Sequence, residues 1–229
     1  MVVYEAMLPP GTTTVADILA EWQAMDLFYL VGGAALTLHL GHRQSRHLDF
    51  FTRDPQERLP TLQDLDSVLA RFHRVEWALK TTEQIQCRLD GVSVTFLAYP
   101  FSHRFAFQPW RGLAVADARD IAVQKAYTVG RRAQARDYLD LHAILTRGLV
   151  SLDDLLTWAY ETYDEAFSPR LFVQQLTYTA DLPDRNNALA LLVNPLTFDT
   201  VATDLTQIVR HWSARRFHPE SPQPRGPHL

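Results

Sequence analysis

The chain has 229 residues, 47% of them hydrophobic and 21% charged, with a formal net charge of -4 at pH 7. That balance fits a folded protein with one large domain or two small ones, and excludes collagen-like, coiled-coil and mainly disordered chains. A single cysteine, Cys87, excludes an internal disulfide, and no run of about 18 uninterrupted apolar residues is present to span a bilayer.

Met1 to Thr13 lacks a basic segment followed by an apolar core, so the expectation is no signal peptide and a cytoplasmic, reducing location. From Thr14 to Met25 the residues Val15, Ile18, Leu19 and Trp22 recur at helical spacing, with Thr12 to Thr14 as candidate caps. Leu27 to Val31 is a continuous apolar run, the pattern of a strand buried on both faces. Gly32-Gly33 breaks it, and Ala34 to Leu40 reads as a short helix stopped by Gly41. A basic turn, His42 to Arg46, leads to a second strand from His47 to Phe51. Leu62 to Phe72 is an amphipathic helix, followed by strands at Val75 to Lys80, Gln84 to Leu89 and Val92 to Tyr99. Asp90-Gly91 joins the last two as a hairpin turn.

Beyond about Phe101 the pattern becomes helical. Asp117 can cap Ile121 to Val129, Gly130 ends that run, and Ala133 to Leu145 forms the next helix. Ser151 with Asp154 forms a capping-box pattern before Leu155 to Tyr163. Further helices are expected over Arg170 to Thr179 and Thr200 to Trp212, with a disordered proline-rich tail over 217–229. The expected organisation is an α/β domain over 1–110 and a helical domain over 111–216.

Four groupings can carry chemistry. Gly32-Gly33 opens a helix directly after a buried strand, where backbone N–H groups attract phosphate; steric permissiveness at a tight turn explains the glycines equally well. On the strand His47 to Phe51, alternation puts His47, Asp49 and Phe51 on one face and Leu48 and Phe50 on the other. An acid in an apolar strand needs a partner, either a metal ion or Arg43 or Arg46. Lys125 falls within the apolar stripe Ile121, Ala122, Ala126, Val129 and must reach an anion or snorkel to water. In Arg136 to Leu141, Asp137 and Asp140 sit on the shoulder of the packing face Tyr138, Leu141, Leu145, and Arg136 and Asp140 are spaced for an intrahelical pair on a surface helix. His142 reads as a core or rim histidine, and Cys87 as a small buried hydrophobe.

In this order the segments Tyr29 to Phe51, Gly91 to Pro100, Asp117 to Leu145 and Leu176 to Asp181 resemble the motifs of the AbiEii/AbiGii nucleotidyltransferase toxin family, within the DNA polymerase β-like superfamily. The resemblance spans roughly residues 10 to 212. It implies an α+β fold, with a small mixed sheet flanked by helices, a helical domain after it, and nucleotide in the cleft between. It also implies transfer of a nucleoside monophosphate from a nucleoside triphosphate to an RNA hydroxyl, that of tRNA in some members, with Mg²⁺ or Mn²⁺ as cofactor and an antitoxin as partner. By the same analogy Gly32, Gly33, Arg43, Ser45, Lys125, Arg132 and Arg136 would bind the nucleotide. Asp49, with His47 beside it, would hold the metal, and Asp49, Lys125, Asp137 and Asp140 would be catalytic, the last two ordering the cleft or assisting proton transfer.

The chain departs from the family pattern at one position of its Asp-x-Asp motif, where His47 replaces the first acid. The third carboxylate common in the superfamily corresponds to Thr95. A neutral imidazole brings a softer nitrogen and no charge to magnesium. The alternatives are therefore a member that binds nucleotide or RNA without turnover, or one that acts through its antitoxin.

Overall fold

The computed structural model describes residues 3–129, 131–132 and 134–217. The expected ends at Gly130 and Ala133, and the tail beyond Phe217, lie outside the described residues.

The first helix, α1, runs Thr12–Ala20 and is followed by a 3-10 turn, Gln23–Leu27, in place of one helix reaching Met25. Its N-cap is Gly11 in the left-handed region, with no side-chain cap, and Thr12 is buried inside the first turn. The threonine caps expected from sequence are therefore not used. Strand β1, Phe28–Val31, is buried at every position and passes straight into α2, Gly32–Leu40, which Gly41 ends in the left-handed conformation. Strand β2, His47–Thr52, alternates as its sequence requires: Leu48 and Phe50 are fully buried, while His47, Asp49 and Phe51 are half-buried on the opposite face.

Helix α3 spans Leu62–Leu69 behind a Thr61–Asp64 capping box. Strands β3 (Val75–Lys80), β4 (Gln84–Leu89) and β5 (Val92–Leu97) form an antiparallel meander. Asp90 and Gly91 both have positive φ, 46° and 88°, as a two-residue primed turn demands.

The chain then adds a hairpin that sequence periodicity did not show: β6 (Gln108–Trp110) and β7 (Leu113–Val115). Strand β7 pairs in parallel with β1, so the expected boundary at residue 110 falls inside the sheet. Among the described residues the sheet has seven strands in the order β3-β4-β5-β2-β1-β7-β6, mixed parallel and antiparallel. The α+β class holds, and the helical part begins at α4 instead.

Helix α4, Ala118–Thr128, is capped by the Asp117 carboxylate as expected, and α5 follows over Ala135–Thr146. Ser151 caps α6, Leu152–Tyr163, accepting from the Asp154 N–H at 3.1 Å. Helices α7 (Pro169–Thr177), α8 (Arg185–Leu189) and α9 (Phe198–Phe217) complete the fold. Helix α5 is buried on every side from Ala135 to Leu145, apart from the half-buried Arg136. Its carboxylates therefore sit inside the protein and not on a surface shoulder.

Candidate active site

A cleft of about 470 Å³ lies between the open face of β2, β5 and β4 and the helices α4 and α5. Strand register builds its floor. Asp49 of β2 stands beside Thr95 of β5, which stands beside Gln86 of β4; one rung along, Phe51 stands beside Leu97 and Leu97 beside Gln84. All these side chains line the cleft, together with Gly32, Gly33, Arg43, Ser45 and His47. From the helical side come Gln124, Lys125, Tyr127, Arg132, Arg136 and Asp137. Every site residue expected from sequence is thus brought to one cavity except Asp140, which lies beneath it.

The two glycines are required by the site's own side chains. Gly32 has φ +69°, and a Cβ there would stand 2.9 Å from Asp49 Oδ2. A Cβ on Gly33 would stand 2.6 Å from Arg43 Nη2 and 3.2 Å from Ser45 Oγ. The absence of side chains lets the charged groups close over the start of α2, where backbone N–H groups have no helical partner.

Under this floor Asp140 is wholly buried and organises the cations. Arg43 donates to it twice, Nε at 2.6 Å and Nη2 at 2.9 Å, while Lys125 Nζ lies 2.7 Å and His42 Nε2 2.8 Å away. Lys125 also donates to Asp137 at 2.6 Å, and Arg132 grips the two Asp137 oxygens at 2.9 and 3.1 Å. Burial alone would raise both carboxyls, but the cations outweigh it. Arg43 and Lys125 hold Asp140 well below the ordinary carboxylate value, and Lys125 and Arg132 hold Asp137 below it. Groups so strongly biased to the ionised form are poor proton acceptors, so of the two expected roles the geometry supports ordering the cleft. The expected Arg136–Asp140 pair is absent: Arg136 donates to Gln134 Oε1 at 3.2 Å, and Asp140 faces inward.

Asp49 is placed differently. It has no hydrogen-bond or ion-pair partner among the described residues, so neither Arg43 nor Arg46 neutralises it directly. Beside it, burial pushes the His47 imidazole below its ordinary value; Asp49 opposes this, and Arg136, Arg46 and Arg88 reinforce it. His47 is therefore neutral at pH 7. Among the described residues no three His, Cys, Asp or Glu side chains are grouped to hold a metal ion. One free carboxylate, a neutral imidazole and the Thr95 hydroxyl do not make a resident magnesium cage, which would demand several hard oxygens. They do fit an ion that arrives on a triphosphate, with phosphate oxygens and water completing its shell.

Two features of the cleft were not singled out in the sequence. An aromatic wall is formed by Phe51 and Tyr99, stacked with centroids 4.4 Å apart, and by Tyr127, stacked on Tyr163 at 4.0 Å. Arg88 of β4 stands beside Ser93, which stands beside His47, so it shares the cleft-facing side of the sheet. Neither follows from local pattern: Arg88 needs the strand order, and the wall needs helices α4 and α6 packed beside the sheet.

Comparison with known proteins points to one family and one fold. Residues 16–210 match the family model described as nucleotidyl transferase AbiEii toxin, Type IV TA system. An uncharacterized protein of Aquifex aeolicus is 30% identical over 161 residues, spanning 67% of this chain and 74% of that protein. Two Helicobacter pylori crystal structures share the fold. One was solved as a candidate nucleotidyltransferase (TM-score 0.55, 15% identity, covering 87% of this chain and 90% of that one). The other is the protein JHP933 (TM-score 0.54, 14% identity, covering 87% of each chain).

Proposed function

The chain belongs to the AbiEii nucleotidyl transferase toxin family, and we propose that it transfers a nucleoside monophosphate from a nucleoside triphosphate to a hydroxyl of RNA, tRNA being the acceptor. The observation that carries this reading is the convergence of an unpartnered Asp49 with the Gly32-Gly33 helix start and a buried, pre-paired cation cluster in one cleft. A site of that composition suits a polyphosphate bearing a divalent ion.

In this reading the N–H groups at the start of α2 and the hydroxyl of Ser45 receive phosphate oxygens. Lys125 uses two of its three N–H donors on Asp137 and Asp140 and keeps the third for phosphate. Arg43 and Arg132 are immobilised by Asp140 and Asp137, so their charge is delivered without reorganisation during transfer. Asp49, with His47 beside it, would hold Mg²⁺ or Mn²⁺ entering on the triphosphate, and the chemistry such an ion would supply is neutralisation of phosphate charge and orientation of the attacking oxygen. The aromatic wall of Phe51, Tyr99 and Tyr127 offers faces on which the base stacks. An antitoxin partner and a cytoplasmic location accompany the family reading, and no helix among the described residues is long and apolar enough to cross a membrane.

A second reading rests on His47 and Thr95, which stand where carboxylates would complete a metal pair: the chain binds nucleotide or RNA without turnover. Calorimetric titration with the four nucleoside triphosphates, with magnesium and with chelator, tests the part both readings share. Heat of binding that falls on chelation is expected; no heat with any nucleotide would sink transfer and nucleotide binding alike and leave RNA binding alone.

A further inference from the structure

We infer that the mouth of the cleft carries a second phosphate subsite, formed by Arg46, Arg88 and Arg136, that seats the phosphodiester backbone of a single-stranded RNA acceptor. This inference rests on the triphosphate reading of the cleft and assigns its other substrate a place.

The cations near the cleft fall into two groups. Arg43, Lys125 and Arg132 are each bonded to Asp137 or Asp140, so most of their charge is already matched. Arg46, Arg88 and Arg136 have no carboxylate partner among the described residues. Register places Arg88 on one line with His47: His47, Ser93 and Arg88 form a row across β2, β5 and β4, spanning about 10 Å at ordinary strand spacing. Arg46 immediately precedes His47, and Arg136, in the first turn of α5, faces the row from the opposite wall.

This row lies one rung, about 7 Å along the strand, from the Asp49–Thr95–Gln86 row where the triphosphate would meet its ion. Arg46 and Arg88 are exposed and do not line the cavity, so a nucleotide filling it leaves them in water. A strand crossing the mouth reaches all three. Unmatched arginines favour a polyanion, because each phosphate contact releases condensed counterions, and the guanidinium fork suits phosphate oxygens. The bound strand would present its hydroxyl toward the Asp49 row.

The test uses the double variant Arg46→Gln/Arg88→Gln of the full chain. Neither side chain makes a hydrogen bond or ion pair among the described residues, so the fold should be kept, as circular dichroism and the melting temperature would verify. Anisotropy of a fluorescein-labelled single-stranded RNA is followed against salt, with calorimetry of nucleoside triphosphates in parallel. The expected result is a roughly tenfold weaker RNA complex whose log–log salt slope is shallower by about 1.4, with triphosphate affinity unchanged. An unchanged RNA slope would overturn the subsite and make the row a solvated face. Triphosphate affinity falling by the same factor would overturn it in favour of a single extended nucleotide site. Arginine-dependent capture of polyglutamate as tight as that of RNA would overturn it in favour of an acidic protein partner. A wild-type chain that binds RNA in the expected arginine-dependent way but no triphosphate would uphold the subsite while removing the triphosphate reading.

Discussion

Asp140 of α5 receives both arms of the Arg43 guanidinium, Nε at 2.6 Å and Nη2 at 2.9 Å, across 97 residues of sequence. The pair ties the turn after α2 to the helical half, and Lys125 shares the same carboxylate. Replacing Asp140 by Ala would leave the buried Arg43 without its anion and Lys125 with Asp137 alone. Stability should fall by about 3–5 kcal/mol, the cost of breaking a buried pair from one side. Urea unfolding reads this directly, and a loss under about 1 kcal/mol would mean that the network is not structural.

The glycines give a second prediction. Gly32→Ala must hold a left-handed φ of +69° and set its Cβ 2.9 Å from Asp49 Oδ2. It should lose about 1–2 kcal/mol from the backbone alone and displace Asp49 as well. Gly33→Ala meets Arg43, which cannot swing away because Asp140 pins it. Both variants should weaken triphosphate binding measured by calorimetry. Wild-type affinity in both would show that the close approach around α2 has no part in binding.

His47→Asp restores two acids on one strand face, with Asp49 two residues on. Hard oxygen and negative charge should raise the affinity for magnesium, or the magnesium dependence of nucleotide binding, by about tenfold or more. Titration of the apo protein with magnesium or manganese checks this. A drop in nucleotide affinity with no gain in metal binding would show that the neutral imidazole serves the site as it is.

The buried histidine beside the network sets a pH dependence. Burial holds His42 below its ordinary value of 6.5, against the opposing pull of Asp140, while Arg43 and Arg147 add to the lowering. The unfolded chain therefore takes up the proton first, so stability is fully present above about pH 6.5 and declines as pH falls toward the folded value. Asp137 and Asp140, both held low, lose their contributions only in acid below about 3.8. Urea midpoints should drop between about pH 7 and pH 5, and His42→Gln should shrink that drop. An equal drop in wild type and variant would assign the effect elsewhere.

Much of this was legible in the sequence wherever one local period ruled. Strand β2 declared its two faces because one is buried, and Asp90-Gly91 fixed its hairpin because few other pairs tolerate two positive φ values. Strands β6 and β7 escaped because three residues are too few to show alternation. Spacing puts the α5 carboxylates on a surface shoulder because a helical wheel assumes one buried stripe, whereas α5 is enclosed on nearly all sides. The partner of Asp140 and the position of Arg88 depend on long-range pairing and strand order, which no window along the chain contains.

The most direct test of the account is incorporation of α-phosphate-labelled nucleoside triphosphates into total tRNA by the folded full chain, with magnesium or manganese. The prediction is labelled RNA with at least one nucleotide. That label should fall by about 100-fold or more in Asp49→Asn, a variant of ordinary stability because Asp49 has no partner among the described residues to lose. No label with any nucleotide and either metal, from protein that binds triphosphate by calorimetry, would contradict transfer and leave the cleft as a binding site alone.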